Sequence, residues 1–268
     1  MSRCDFVRIN YSHTIETAAK MYHHSLRMIA CLALSLSLAQ LAQAQEEIKP
    51  ENHTVIAKDG WPIHFTYYPS SKGKDAGVVV LLHGLNGENR NRVEWDASSL
   101  AKRLSKDDFA VIAVDFRKHG DSKAPEDAPA RIRSAKVSKY DYIAMVEFDL
   151  EAIKKFIFQE HQNKKVNMRK TAIIAADASA VLALNFAARD WLKKPHNDAP
   201  VLSAKTPRGQ DILALVLLSP EESLSGLSTS KPLKVLRPFG VASLLIYGEK
   251  NIKDKKVANR LFKQFGGD

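Results

Sequence analysis

The chain has 268 residues, 45% hydrophobic and 26% charged, with a formal net charge of +10. That length and apolar content can bury one sizeable core, so a single domain is expected; no internal repeat or low-complexity tract points to a repeat array. No nucleic-acid motif accompanies the positive charge, which reads as a solvated surface able to associate loosely with anionic lipid headgroups or acidic polysaccharide.

In chain order, the first 44 residues stand apart. Arg27 precedes an apolar run, Ile29 to Leu41, which ends in Ala42-Gln43-Ala44 before the polar Gln45-Glu46-Glu47. A charged start, an apolar stretch too short to span a bilayer and a small-x-small site predict a secretory signal peptide. An uncleaved anchor or a buried helix is the alternative. The expected division is 1–44 as signal peptide and 45–268 as the folded domain. Residues before Met21 fit no export pattern, so Met21 or Met28 is a candidate start. Export to the periplasm or cell envelope follows from this reading. Both cysteines, Cys4 and Cys31, lie in the leader, leaving the mature part without a disulfide, a thiolate nucleophile or a cysteine metal site. Four of the 40 basic and two of the 30 acidic residues also fall there, leaving a net charge of +8 after it.

Beyond the leader, Thr54 to Ala57 and Ile63 to Tyr68 read as a hairpin around Asp59-Gly60. Gly77 to Leu82 is a continuous Val/Leu run, the pattern of a strand buried on both faces. A helix is predicted over Val93 to Leu104, a buried strand over Ala110 to Asp115 and a surface loop over Lys123 to Ser138. Met145, Phe148, Ala152, Ile153, Phe156 and Ile157 recur at helical spacing within Asp141 to Gln159. Thr171 to Ala175 reads as a strand, and Val181 to Trp191 as a helix. Ile212 to Leu218 and Ala242 to Tyr247 read as buried strands, and Lys253 to Phe265 as a closing helix. This alternation predicts an α/β class fold, a doubly wound, mostly parallel sheet with helices on both faces.

Three local patterns carry chemistry. The run from Val78 to Gly87 (VVVLLHGLNG) is a strand followed by a His-Gly loop. The run from Ala110 to Ser122 (AVIAVDFRKHGDS) is a strand followed by a tight polar turn. The run from Thr171 to Ala180 (TAIIAADASA) is a short strand, a cramped turn of small residues and the start of a helix. The last has the shape of a nucleophile elbow, whose working form reads G-x-S-x-G. Here the five places read Ala175, Ala176, Asp177, Ala178 and Ser179, with aspartate at the apex.

Taken in order and spacing over residues 53 to 265, these patterns resemble the α/β-hydrolase family. The resemblance implies an α/β-hydrolase type of sheet, with oxyanion-hole donors at the backbone N–H groups of Leu85 and Ala178. It implies an acid after the strand Ala242 to Tyr247, where Asn251 stands and Asp254 is a nearby substitute. The histidine should follow one strand later, but none occurs after His196, so a last strand and its histidine loop are expected to be missing. Asp177 could be a nucleophile, as in the haloalkane dehalogenase and epoxide hydrolase branches similar to this fold, or the side-chain N-cap of the following helix. The cap is the favoured of the two. Ser179 is expected to pack as a small residue. His83 and His119 are expected to shape turns, and His196 stands out of order for a base. His53, His64 and His161 lack metal-ligand spacing, so neither a metal nor another cofactor is expected. Leu224, Leu227, Leu233 and Leu236, between Pro220 and Gly240, read as a modest apolar roof or as core.

The expected function is that of an exported, non-catalytic binding or vestigial homologue with a small apolar or ester-like ligand. The rivals are an active hydrolase, of ester type or dependent on Asp177, and a truncated gene product of a serine-hydrolase ancestor. The oligomeric state is left open at this stage.

Overall fold

In a computed structural model, residues 49–87 and 90–267 are described. The predicted signal peptide, its cleavage site and the candidate start codons lie outside them. The fold belongs to a unit running from Ile48 to Asp268.

Nine strands are present among the described residues: β1 (Glu51–Ile56), β2 (Pro62–Tyr68), β3 (Val78–Leu82), β4 (Ala110–Val114), β5 (Thr171–Ala176), β6 (Ile212–Leu218), β7 (Ser223–Leu224), β8 (Leu227–Ser228) and β9 (Ala242–Ile246). Seven form one sheet in the order β1-β2-β4-β3-β5-β6-β9, and β7 pairs with β8 in a small separate hairpin. The pairs β1–β2 and β2–β4 are antiparallel. The pairs from β4 through β3, β5 and β6 to β9 are parallel. Every residue of β3 and β4 is buried, as their unbroken apolar runs require of strands covered on both faces.

Helices α1 (Val93–Ala97) and α2 (Leu100–Lys106) cover one face of the sheet. Trp95 and Ala101 pack there with Val79, Leu81, Val111 and Ala113. The predicted single helix over 93–104 is thus two, because Ser99 adopts φ 58° and turns the chain. A short helix, α3 (Ala130–Arg133), lies within the predicted loop.

The opposite face carries the larger core. Helix α4 (Lys139–Ala144) opens with a capping box in which Ser138 and Asp141 satisfy each other's backbone N–H groups. It runs through a single π turn, Met145–Asp149, into α5 (Leu150–Gln162). The π turn places Asp149 in the interior, where its carboxylate receives the Arg117 guanidinium at 3.0 Å. Helix α6 (Ser179–Trp191) follows β5, and α7 (Ser230–Leu236) and α8 (Ile252–Phe265) complete this layer. Leu233 and Leu236, 1% and 0% exposed, belong to this core together with Leu182, Leu215 and Leu261. Of the two roles open to the Pro220–Gly240 segment, core is therefore the one observed for its helix. Burial of each such large apolar side chain contributes about 1.5–3 kcal/mol.

Candidate active site

Strand β5 delivers the chain to the elbow, and β6 holds it there. Asp177 follows the last residue of β5 and has φ 50°, a left-handed conformation that aspartate tolerates better than most residues. Its N–H donates to the Leu218 carbonyl at 2.9 Å, and its own carbonyl receives the N–H of Ala180 at 3.2 Å and of Glu221 at 3.3 Å. The turn is pinned from both sides, and α6 begins two residues later.

The Asp177 side chain does not cap that helix. The N-cap residue is Ala178, without a side-chain hydrogen bond. The Asp177 Oδ2 instead accepts a bond from Arg90 Nη2 at 3.1 Å. The positive φ aims the carboxylate away from the helix start, towards the loop after β3. Gly84 of that loop leaves no room for a Cβ, because Asp177 Oδ2 and the Arg90 guanidinium fill the place one would take. The apex and the His83–Gly87 loop are therefore in contact.

Leu85 lies in this loop and is partly buried against the main core, while Ala178 is fully buried. Neither backbone N–H donates to a backbone carbonyl among the described residues. These are the two donors the elbow architecture implies for an oxyanion.

A ring of charge surrounds the apex. Arg90 Nε reaches Glu94 at 2.6 Å, Asn86 Nδ2 donates to Glu221 at 3.1 Å, and Lys253 Nζ lies 3.7 Å from Glu221. Burial raises the Asp177 pKa above the ordinary carboxylate value; Arg90 opposes this, and Glu221 and Asp254 add to it. Arg90 and Glu221 carry no motif, and only the tertiary fold brings them beside the elbow.

The remaining candidate residues are engaged elsewhere. Ser179 is fully buried, and its hydroxyl points at the Ala176 carbonyl, 2.7 Å away, and the Leu82 carbonyl, 3.2 Å away. It ties the start of α6 to the ends of two strands. Asn251, in the expected acid's place, caps α8 by accepting the N–H groups of Lys253 at 3.1 Å and Asp254 at 3.3 Å.

His83 is buried with Nδ1 2.7 Å from the Gly84 carbonyl, and its Nε2 receives the Phe116 N–H at 3.3 Å. Those partners fix the proton on Nδ1, and burial pushes the pKa down to about 3. His119 holds the Arg117 carbonyl through Nδ1 at 3.0 Å, and burial lowers its pKa also. Both serve as turn braces. His196 is exposed in the segment after α6, a helix of 13 residues that starts at the elbow and leads away from it. At 1.5 Å per residue that places the helix end roughly 20 Å from the apex.

Next to His119, Asp115 organises the other loop that flanks the site. Its buried carboxylate accepts the N–H of Arg92 at 2.7 Å and of Asp121 at 2.9 Å, and pairs with the Arg92 guanidinium. His53 stacks on Phe65, 5.5 Å between ring centroids, and His64 bonds Thr54 at 3.0 Å. Among the described residues no group of three or more His, Cys, Asp or Glu could hold a metal ion. An apolar cavity lined by Leu150, Ile153, Met168, Thr171, Phe186 and Ile212 lies at the starting ends of β5 and β6. That is the opposite end of the sheet from Asp177.

The architecture and its elbow define a class, and comparison with known proteins agrees. The model of the alpha/beta hydrolase fold family matches residues 77–263. The chain belongs to the α/β-hydrolase fold family. No curated protein matches it. Among solved structures it is similar to an esterase of Pyrococcus furiosus, at 15% identity and TM-score 0.57, over 81% of this chain and 77% of that one. It is also similar to a dienelactone hydrolase of Anabaena variabilis, at 14% identity and TM-score 0.56, over 83% of each chain. At these identities the likeness is one of fold.

Proposed function

We propose that this is an exported α/β-hydrolase-fold protein whose elbow has lost turnover and serves binding. One observation carries the reading: the apex side chain is a carboxylate engaged by Arg90 at 3.1 Å. Acyl transfer needs a nucleophile, a base to activate it and donors for the developing charge. Of these, the backbone donors at Leu85 and Ala178 have a counterpart here. For the base no counterpart is found among the described residues: His83 engages both ring nitrogens with backbone groups, and His119 holds the Arg117 carbonyl through Nδ1. The ligand class that suits such a site is a small apolar or ester-like molecule. The positive surface suits loose association with an anionic envelope.

A second reading rests on the accessibility of Asp177, whose side chain is 26% exposed. A carboxylate there could attack an alkyl carbon, displacing its halide or opening an epoxide to the alkoxide, and so form an ester that, among the described residues, no histidine is placed to help water cleave.

The test uses the purified protein. A fluorophosphonate probe should fail to label it, and short acyl esters should not be hydrolysed above a heat-treated control. Labelling mapped by mass spectrometry to any serine would overturn the proposal. Covalent capture of a haloalkane or epoxide on Asp177 would favour the second reading. The export component is tested separately by N-terminal sequencing, which should find a mature terminus at or near Gln45.

A further inference from the structure

Of the asparagines in the chain, Asn86 alone precedes a glycine. The pair lies in the loop after β3, beside the apex of the elbow. The amide nitrogen of the residue after an asparagine can attack the side-chain carbonyl and close a five-membered imide, which makes asparagine a thermolabile residue. Glycine obstructs this closure least, because it has no Cβ and its backbone turns freely.

The fold adds to what the dipeptide supplies. Gly87 has φ +121°, and a Cβ built on it would meet nothing closer than Arg90 Cγ at 3.6 Å. The turn is loosely packed there, unlike the crowded Gly84 and Gly120. Among the described residues the Gly87 N–H donates to no backbone carbonyl. Asn86 is exposed to the water that opens the imide. Asp59-Gly60 offers the same ring closure and makes an internal contrast. Its Gly60 N–H is spent on the Ala57 carbonyl at 2.9 Å. Both Asp59 oxygens accept bonds from Arg117, at 2.7 and 3.1 Å, and a carboxylate held this way is a poor electrophile.

We propose that Asn86 is a site of spontaneous modification, converted in the folded protein to aspartate and isoaspartate. The Gly87 nitrogen bonds to Asn86 Cγ, the Cγ–Nδ2 bond breaks, and the Gly87 amide proton leaves with Nδ2 as ammonia. Water then cleaves one of the two imide C–N bonds. Cleavage at Cγ restores the backbone with an aspartate side chain. Cleavage at the main-chain carbon leaves the chain running through Cγ, one methylene longer.

Either product changes the candidate site. Asn86 Nδ2 donates to Glu221 at 3.1 Å, and the Glu221 N–H donates to the Asp177 carbonyl at 3.3 Å. This pair of bonds ties the His83–Gly87 loop to the apex turn. Conversion removes the first donor and sets a second carboxylate against Glu221, a repulsion between like charges. Lys253, 3.7 Å from Glu221, offsets it in part. The isoaspartyl form also lengthens the backbone next to Leu85. These changes follow from the loop alone, whether or not the elbow turns over a substrate.

The purified full chain, aged at mildly alkaline pH, should gain one negative charge in isoelectric focusing and release ammonia in equal amount. Tandem mass spectrometry should place the exchange of NH2 for OH on Asn86. Electron-transfer fragmentation should find isoaspartate there, while Asp59 stays aspartyl. Asn86→Gln should keep its starting charge. Hydrogen exchange at Gly84 and Leu85 should quicken in the aged protein and in Asn86→Asp. Adding Glu221→Gln to Asn86→Asp should slow it again, because the new amide can donate to the aspartate. An unchanged charge after ageing overturns the proposal, as does a change mapped to any other residue. Conversion seen only in urea would mean that the fold protects the pair, which also overturns it. Unaltered exchange at Leu85 in Asn86→Asp would overturn the stated effect on the site.

Discussion

At the apex, Asp177 and Arg90 neutralise each other at 3.1 Å in the place an elbow reserves for its nucleophile. Replacing the apex with Asp177→Ser supplies a hydroxyl but no base, and base assistance is worth about 10²–10⁴-fold in rate. The variant should remain inert towards fluorophosphonate and short esters, read by labelling and by release of the alcohol product. Gly120 makes a second argument at this scale. It has φ +51°, and the Asp115 carboxylate occupies the space a Cβ would need. Gly120→Ala should therefore lose stability by about 1–3 kcal/mol, the usual cost of overpacking, measured by urea unfolding. A variant as stable as wild type would mean that the turn relaxes freely.

Among the elements, α8 shows how a position tied to chemistry in a resemblance can serve structure. Asn251 stands where an acid is expected, yet its side chain satisfies two N–H groups at the helix start. Asn251→Ala should destabilise the protein by about 1 kcal/mol through the lost cap, seen as a lower denaturation midpoint. Asn251→Asp keeps an acceptor and should retain stability without creating esterase activity, since among the described residues no histidine is shown bonded to either Asn251 or the apex. The π turn between α4 and α5 has a comparable role. It turns Asp149 inwards to meet Arg117, which also pairs with Asp59 at 2.7 Å and lies over the Trp61 ring. Sequence periodicity marks the helix but not the extra residue that redirects Asp149.

For the whole molecule, the buried histidines set a pH dependence. His83 has its pKa pushed below the ordinary value to about 3 by burial, and that of His119 is lowered as well. Between about 3 and the unfolded value near 6.5, the unfolded chain binds more protons than the folded one. The His83 contribution is thus complete above pH 6.5 and is lost as pH falls, by up to about 1.4 kcal/mol per pH unit. Asp149, whose pKa burial raises to about 6, acts in the opposite sense over this window. The His83 part is therefore read as the difference between wild type and His83→Gln in urea unfolding from pH 7 to 4: the variant should lose less stability as pH falls and be less stable at pH 7. An unchanged slope in the variant would remove His83 as its source.

Much of this was legible in the chain itself. The unbroken apolar runs of β3 and β4, the helical spacing of α5 and the small-residue turn after β5 identify the layers and the elbow, because short-range sterics and burial periodicity act through neighbours in sequence. The same local rules misplaced details that depend on distant partners. Asp177 reads as a cap from its neighbours alone, but its positive φ and Arg90, 87 residues away, turn its carboxylate to the other loop. The segment from Leu224 to Leu236 carries the same apolar pattern whether it roofs a site or fills a core, and only packing against α6 separated the two. Arg90, Glu221 and Asp254 meet around the apex because β3, β6 and β9 end at the same edge of the sheet. Sequence determined which segments are buried and where the chain turns; tertiary structure decided which side chains meet, since electrostatics and hydrogen bonding depend on distances that only the assembled sheet sets.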